Sequence, residues 1–381
     1  MAPPVIDENV FPIIPALSMD ISGTCNLKCV YCAEGLTMPA RKPMSNEVID
    51  ESLNFFFKYA PVKGELSIHV GSGESLLYPD AVRQIGLKAK SIANKRSQPL
   101  TLHITTNGTL LTQEITEWLI ADNWNVKISL DGNEKIHDKY RRTMSGEGTS
   151  KVIEPFIKKM VHEIPDRFST TSVLCSGTDP AEVFNFLESL GVKKIEMLPV
   201  AASEKAKVTL TKRDYAVYRR FISNYAYRVA MCEGLPIHIR FFNRLLNVMG
   251  YRNESLPCGA GRTFFAVDYT KSVFPCMRFA GLTEHQLGTL KSLDTTQLKL
   301  FHQTVGRPYQ LRKECSKCWA APLCGGPCYA CAELIGQGSP QPSYCEIVKL
   351  ESKAAIWLVN YLKNNNIEKL VNIIMSNQRR V

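Results

Sequence analysis

The hydrophobic and polar positions between residues 17 and 200 form short strand-like runs that alternate with longer helix-like runs. This alternation is typical of βα units arranged around a parallel sheet. Each run that predicts a strand is followed by a segment compatible with a helix. We therefore expect an α/β fold in which six βα units make an incomplete, partial (β/α)6 barrel. The predicted strands cover residues 16–21, 65–70, 100–106, 126–131, 169–174 and 194–198.

Several of these strands alternate cleanly between apolar and polar residues. In the second strand, Leu66, Ile68 and Val70 share one face, which we expect to pack under the outer helices. Strands buried on both faces usually read as continuous apolar runs, so the polar opposite face predicts a ligand cavity inside the barrel. A half-solvated sheet without a cavity is the alternative. The polar face would carry His69, His103, Thr105, Lys127, Ser129 and Asp131.

The chain divides into four parts by pattern. Residues 1–200 form the barrel, and within them Ser45 is a plausible cap for a helix that buries Ile49, Leu53, Phe56 and Phe57. Residues 201–249 predict a basic helical connector. Residues 250–349 predict a cysteine-rich domain with little regular pattern, which bound clusters would hold together. Residues 350–381 predict a terminal helix and tail. An amphipathic helix is predicted over 346–364, with an apolar face made of Val348, Ile356, Leu358, Val359 and Leu362.

Composition narrows the class of protein. A chain of 381 residues, 45% of them hydrophobic, can bury a large core without disulfides. No apolar run is long enough to span a membrane and no secretion signal is evident, so we expect a cytoplasmic protein with no membrane partner. In a cytoplasmic protein, thirteen cysteines indicate metal binding or redox chemistry rather than disulfides. The net charge of +10 comes from scattered Lys and Arg, which does not favour a nucleic-acid partner.

Three cysteines, Cys25, Cys29 and Cys32, lie together directly after the first predicted strand. Three thiolates can hold three corners of a 4Fe–4S cube and leave the fourth iron open to a cofactor or substrate. A zinc knuckle or a chance trio is the alternative. With Tyr31 immediately before the last cysteine, the segment closely resembles the cluster motif of the radical S-adenosylmethionine (SAM) superfamily. The resemblance implies a TIM-like partial barrel and a SAM-binding 4Fe–4S cluster.

Further segments resemble that family in the expected order. Ser72, Gly73 and Glu74 resemble its Gly-Gly-Glu-Pro motif, which binds the amino group of SAM, although Ser72 replaces a glycine and Ser75 the proline. Later segments look like those of anaerobic sulfatase maturases and related peptide-modifying enzymes. That resemblance implies a ribose contact for Ser129, a carboxylate contact for Arg141 and an adenine contact for Leu198. The implied SAM-binding residues are Tyr31, Ser72, Gly73, Glu74, Asn107, Ser129, Arg141 and Leu198.

A second cysteine block lies towards the C-terminus and resembles the SPASM extension, which carries two auxiliary 4Fe–4S clusters. By itself this block would favour zinc. The resemblance implies three 4Fe–4S clusters in the whole chain. The second auxiliary set is one ligand short, so either its iron stays open to substrate or another residue, such as Cys331, fills the gap. One auxiliary set is Cys315, Cys318, Cys324 and Cys345, and the other is Cys258, Cys276 and Cys328.

The resemblance implies an enzyme that reductively splits SAM to a 5′-deoxyadenosyl radical, which abstracts hydrogen from a substrate. The motifs match most nearly those of enzymes that modify peptides or proteins, with an electron donor such as flavodoxin or ferredoxin. Met277 stands where sulfatase maturases have an acidic residue, which argues against formylglycine formation. The alternatives are a radical SAM dehydrogenase of a small molecule, such as an aminoglycoside-type sugar, and a non-catalytic iron–sulfur or zinc protein.

Overall fold

The computed structural model describes residues 12–37, 39, 41–251 and 255–378. Within these ranges, no helix is both long enough and apolar enough to cross a membrane. The strands are β1 (Ala16–Met19), β2 (Leu66–Val70), β3 (Leu100–Thr106), β4 (Trp124–Ser129), β5 (Phe168–Leu174), β6 (Lys194–Pro199), β7 (Ile237–His238), β8 (Phe264–Val267), β9 (Ser272–Phe274) and β10 (Gly288–Thr289). The helices are α1 (Ala33–Thr37), α2 (Asn46–Tyr59), α3 (Pro79–Lys95), α4 (Gln113–Ala121), α5 (Glu134–Tyr140), α6 (Ser150–Glu163), α7 (Pro180–Ser189), α8 (Lys212–Met231), α9 (Ile239–Val248), α10 (Thr295–Gln303), α11 (Ala321–Cys324), α12 (Tyr329–Leu334), α13 (Pro342–Asn365) and α14 (Ile367–Gln378).

The six predicted strands correspond to β1–β6, and a helix follows each of them. The prediction of six βα units is confirmed, with strand ends displaced by one or two residues. Helix α2 begins as expected: the Ser45 hydroxyl accepts a hydrogen bond from the Val48 N–H at 3.3 Å. The residues predicted for its buried face, which are all at most 5% exposed, are Ile49, Leu53, Phe56 and Phe57.

The described residues form two compact units. The first contains the residues up to Ser129 together with Asp138–Phe156 and Cys258–Arg307. The second contains Leu130–His137, the described part of Ile157–Pro257, and the residues from Pro308 onwards. The four-part division predicted from composition stays a prediction, because the compact units combine segments that are distant in sequence.

In the first unit, β8, β1, β2, β3 and β4 pair in that order as parallel strands. Strand β9 pairs antiparallel with β8, and β10 with β9. One face of this sheet is apolar and buried, as the alternation predicted: Leu66 and Ile68 are inaccessible and Val70 is 2% exposed. Burial of this face supplies much of the hydrophobic stabilisation of the unit.

The opposite face of β2, β3 and β4 is polar and partly open. His69, His103 and Lys127 are half-buried, and Thr105 is exposed although β3 is an interior strand. This agrees with the predicted polar interior. The prediction that Asp131 belongs to this face is wrong. The residue lies beyond the end of β4 and is buried, and its carboxylate accepts a hydrogen bond from the Val173 N–H at 2.9 Å.

The second unit is built on β5, β6 and β7, which pair in parallel. Helix α13 packs against α8 and α9, so the predicted connector is helical and the terminal amphipathic helix is present. The pattern placed Ile356 on the apolar face of this helix, but the residue is 43% exposed. Buried aromatic rings join α7, α8 and α9, with Phe184 against Tyr225 at 5.1 Å and Tyr225 against Phe241 at 5.4 Å between centroids.

The segment after residue 250 is more regular than its sequence indicated. Strand β8 lies beside β1, in parallel, and Phe265, Ala266 and Val267 are inaccessible to solvent. Apolar packing therefore does hold part of this segment, contrary to the expectation. A four-residue run is too short to be recognised locally as a strand, because its stability comes from pairing with β1, far away in sequence.

Candidate active site: a cysteine loop at the strand ends

The cysteine loop, defined as residues 25–32, connects β1 to the start of α1. Two backbone hydrogen bonds, donated by Lys28 at 2.8 Å and Val30 at 3.0 Å, fasten the loop to the carbonyls of Arg142 and Tyr140. The loop is thus held in place by a segment more than a hundred residues away. It presents the three predicted cluster ligands, Cys25, Cys29 and Cys32.

Hydrogen-bond donors point at two of these sulfurs. The Cys25 Sγ accepts from the Leu27 N–H at 3.4 Å and from the Asn107 amide at 3.8 Å. The Cys32 Sγ accepts from the Gly35 N–H at 3.3 Å. Such N–H donors stabilise a thiolate, and hydrogen bonds to cysteine sulfurs are among the features that set the potential of iron–sulfur clusters. The loop therefore fits a cluster by its donors as well as by its cysteine spacing.

Asn107, at the end of β3, organises the loop from the sheet side. Its side-chain amide donates to the Asn26 oxygen at 2.8 Å, and its own oxygen accepts from the Thr109 N–H at 2.9 Å. The Asn26 amide completes the ring by donating to the Thr109 hydroxyl at 2.9 Å. The predicted role of Asn107 was contact with SAM, and in the structure this residue fixes the cysteine loop against β3.

Glu74 is fully buried and ties the ends of β2 and β3 together. Its Oε1 accepts from the Leu76 N–H at 3.0 Å and from the Thr106 hydroxyl at 2.7 Å, while its Oε2 accepts from the Asn107 N–H at 2.6 Å. Burial raises the pKa of Glu74, and these donors together with Arg141 act in the opposite direction. Both oxygens of the predicted ammonium ligand are thus engaged by the protein itself.

A second carboxylate, which sequence reasoning missed, is Glu34 in the first turn of α1, directly after the cysteine loop. Glu34 Oε2 accepts from the Gly73 N–H at 2.8 Å and from the Ser72 hydroxyl at 3.0 Å. Arg41 donates to the Ser72 hydroxyl at 2.8 Å and forms a buried ion pair with Asp20. Ser72, the departure from the family motif, is therefore the link between Glu34 and Arg41. The only signal in the sequence was the position of Glu34 two residues after Cys32.

The remaining predicted SAM contacts lie in both units. In the first unit, the Arg141 guanidinium stacks over the Tyr31 ring at 5.3 Å, and both side chains are buried. This brings two predicted residues together beside the last cysteine of the loop. Ser129 is buried at the last position of β4. Leu198 is half-buried on β6 of the second unit.

Two imidazoles lie on the polar face below these strand ends. The rings of His69 and His103 stack at 4.4 Å with 4° between their planes. Burial lowers the pKa of His69 to about 3, and His103 and Lys127 act in the same direction. His69 is consequently neutral at physiological pH, and this face offers a polar surface on which Lys127 carries a charge.

In the second unit, four cysteines line one cavity of about 470 Å³. Burial raises the pKa of the Cys345 thiol to about 12, and the nearby Cys324 and Cys315 contribute in the same direction. Thiolates that repel one another in a shared cavity are stabilised by a bound cation, so the donor set fits a metal cluster. The four are the first predicted auxiliary set, Cys315, Cys318, Cys324 and Cys345.

The other predicted auxiliary set is divided between the units. Cys258 and Cys276 belong to the first unit, and Cys328 and Cys331 to the second, so this ligand set stays a prediction. No disulfide joins any cysteine in the described ranges. Among the same residues, no group of three or more His, Cys, Asp or Glu side chains is arranged to hold a single metal ion.

Known proteins resemble this chain in sequence and fold. Residues 19–190 match the Radical SAM superfamily. A cysteine-type anaerobic sulfatase-maturating enzyme of Clostridium perfringens is 25% identical over 360 residues, which cover 88% of this chain and 95% of the relative.

Two solved structures share the fold. One is native anSMEcpe with bound AdoMet and Kp18Cys peptide, with a TM-score of 0.75 at 22% identity over 92% of this chain and 100% of that one. The other is Streptococcus suis SuiB bound to precursor peptide SuiA, with a TM-score of 0.59 at 15% identity over 88% and 76%. The architecture is that of the radical SAM partial barrel. Residues 19–190 of this chain are a radical SAM domain.

Proposed function

We propose that this protein is a radical SAM enzyme that modifies a peptide or protein. The observation that carries the proposal is the fixed cysteine loop: three cysteines, two of them beside N–H donors, on a loop bound to the strand ends that hold Glu74, Asn107 and the Ser72–Gly73 turn. A zinc knuckle does not require this connection to the sheet. A SAM-binding cluster does, because the open iron and the residues that hold SAM have to keep one relative position.

The cysteine loop would hold a 4Fe–4S cluster through Cys25, Cys29 and Cys32. When bound, the cluster and SAM supply one-electron cleavage of a C–S bond and a carbon radical that removes hydrogen from the substrate. The residues of this chain bind, orient and shield the reactants. The physiological electron donor would be a small redox protein such as flavodoxin or ferredoxin.

The methionine end of SAM would lie at the Ser72–Gly73 turn. Since both oxygens of Glu74 accept hydrogen bonds from the protein, Glu34 would be the carboxylate that meets the ammonium group directly. Arg141, held over Tyr31, would bind the carboxylate of SAM through its guanidinium. Ser129 would contact the ribose and Leu198 the adenine.

Two auxiliary clusters would complete the enzyme. Cys315, Cys318, Cys324 and Cys345 would hold one of them in the cavity that they line. Cys258, Cys276 and Cys328 would hold the other, with Cys331 as the candidate fourth ligand.

The substrate class is supported by the relatives. The Clostridium enzyme is named a sulfatase-maturating enzyme, and the solved structures of anSMEcpe and SuiB contain peptides. Met277 directly follows Cys276 where sulfatase maturases have an acid, so the modification would differ from formylglycine formation. The polar interior face, with Lys127 and two imidazoles, would meet the polar backbone of an inserted peptide.

Anaerobic reconstitution tests the proposal. The purified protein is loaded with iron and sulfide, and iron per chain and reductant-dependent 5′-deoxyadenosine are measured. We expect about twelve irons in the wild type, and roughly eight irons with no SAM cleavage in the Cys25/Cys29/Cys32→Ala variant. The matched control is Cys232→Ala, which removes an exposed cysteine outside all three ligand sets and leaves iron content and SAM cleavage unchanged. Bound zinc without SAM cleavage in the wild type would refute the proposal.

A further inference from the structure

Three charged side chains are buried together in the second unit. Glu351 on α13 is inaccessible to solvent, and Arg240 and Arg244 on α9 are each 8% exposed. Arg240 Nε lies 3.2 Å from Glu351 Oε1, and Arg244 Nε lies 3.7 Å from Glu351 Oε2. Burial alone would raise the pKa of Glu351, but Arg240 and Arg244, with smaller contributions from His238 and Tyr218, leave the pKa lowered. The group therefore holds two cations and one anion.

Two titratable neighbours within the group are neutral, and outside it the half-buried Glu196 on β6 also acts on Arg240. The Tyr218 hydroxyl donates to Glu351 Oε1 at 2.9 Å, and burial raises its pKa well above the usual value, so it stays neutral. His238 is also neutral, because burial lowers its pKa to about 4. Arg240 Nη2 and Arg244 Nε make no hydrogen bond within the described chain. Buried guanidinium groups that keep unused donors stabilise a further anion placed beside them.

The two arginines contact residues that directly precede two of the cavity cysteines. Arg244 Nη1 donates to the carbonyl of Leu323 at 2.5 Å, and Leu323 is the residue before Cys324. The Arg240 guanidinium lies 5.2 Å from the ring centre of Tyr344, the residue before Cys345. An anionic group held by the four cysteines would be stabilised by the two guanidinium groups.

A 4Fe–4S cluster with four cysteine thiolates is such an anion, with a charge of roughly −2 that becomes more negative on reduction. We propose that Arg240 and Arg244 set the reduction potential of the cluster held by Cys315, Cys318, Cys324 and Cys345, raising it, while Glu351 limits the increase. This inference rests on the proposed auxiliary cluster. A raised reduction potential makes the cluster an electron acceptor. The cluster takes up one electron, with no bond made or broken, and the substrate supplies this electron after its hydrogen has been removed.

The test is potentiometric and avoids turnover. In the Cys25/Cys29/Cys32→Ala background, which removes the loop cluster, each reconstituted variant is titrated with reductant while electron paramagnetic resonance is recorded. The signal that disappears on Cys345→Ala identifies the cluster. We expect Arg244→Met and Arg240→Met to shift its midpoint to more negative values, Arg244→Met by more. Glu351→Gln keeps the shape of the side chain and one acceptor oxygen but removes the negative charge, so it should shift the midpoint potential to more positive values.

The control is Lys353→Met, which also removes one positive charge. Lys353 is exposed, 5.8 Å from the ring centre of Trp319 at the cavity wall, so water screens it and the shift should be much smaller. Equal shifts for Lys353→Met and the arginine variants, or shifts of one sign for arginine and glutamate variants, would overturn the inference.

If the arginine variants lose the cluster, Glu351→Gln decides by the sign of its shift, and a negative or absent shift refutes the inference. Iron content separates a failure of this inference from a failure of the proposed function. A background protein that retains no cluster lacks the auxiliary sites altogether, whereas one that is loaded but insensitive to these charges refutes only the role of the arginines.

Discussion

Protonation of His238 should weaken the second unit between pH 6.5 and pH 4. The side chain is inaccessible, and its Nδ1 accepts from the Phe241 N–H at 3.4 Å at the start of α9. Its Nε2 lies 3.4 Å from the Tyr218 oxygen, and the Tyr218 proton is already donated to Glu351. The neutral imidazole with its proton on Nε2 satisfies both contacts. A second proton would remove the cap of α9.

The magnitude follows from the two pKa values. Burial lowers the pKa of His238 to about 4 from the usual 6.5, the neighbouring Arg240 acting in the same direction and Glu351 against it. A group whose folded pKa is depressed contributes stability that is complete above the unfolded pKa and is lost as pH falls towards the folded one. At about 1.36 kcal/mol for each pH unit, the full loss is about 3 kcal/mol, of which about 1.4 kcal/mol is lost by pH 5.5.

Hydrogen exchange of the α9 amides measures this loss while the rest of the protein stays folded. After correction for intrinsic exchange, protection should fall about tenfold between pH 8 and pH 5.5, since about 1.4 kcal/mol corresponds to a factor of ten. His238→Asn keeps a good helix cap and removes the titration, so its protection should vary little over this range. An equal fall in His238→Asn, or no fall in the wild type, would refute the reasoning.

Three further substitutions test the fold and the site. Gly73→Ala should cost about 1–3 kcal/mol of unfolding free energy and abolish SAM binding, because Gly73 has a φ of +56° and an added Cβ would lie 2.0 Å from the Thr24 carbonyl oxygen. Gly64→Ala is the control for backbone strain without a clash, because Gly64 also has a positive φ, +110°, but no neighbour within 4 Å; it should lose stability in denaturant titrations and keep SAM binding. Phe265→Ala should cost about 3–5 kcal/mol, because the ring on β8 is inaccessible, and a smaller loss in the same titration would contradict the packing described. Glu34→Gln should weaken SAM binding about tenfold in equilibrium dialysis of the iron-loaded enzyme, by about the strength of one charge-assisted hydrogen bond, with 5′-methylthioadenosine, which has no ammonium group, bound unchanged.

The barrel strands could be predicted because their information is local. Alternation in β2, such as Leu66 and Ile68 against His69, reports which face is buried, and this holds whatever the strand pairs with. The α2 cap at Ser45 is equally local, since the hydroxyl accepts a hydrogen bond within its own first turn. Strand β8 lacked such a signal, because its four residues become a strand only by pairing with β1.

The candidate site also has features that the local sequence predicts and features that only the folded chain creates. The sequence by itself determined the first cysteine block, because Cys25, Cys29 and Cys32 lie a few residues apart on one loop. Only the tertiary structure decided that both oxygens of Glu74 accept hydrogen bonds from the protein and that Glu34 accepts one from Gly73. It also decided that Arg240 and Arg244 contact Tyr344 and Leu323, the residues before Cys345 and Cys324. These are contacts between segments far apart in the chain. Their partners are selected by packing geometry and by the cost of burying charge, and neither is written in the local pattern.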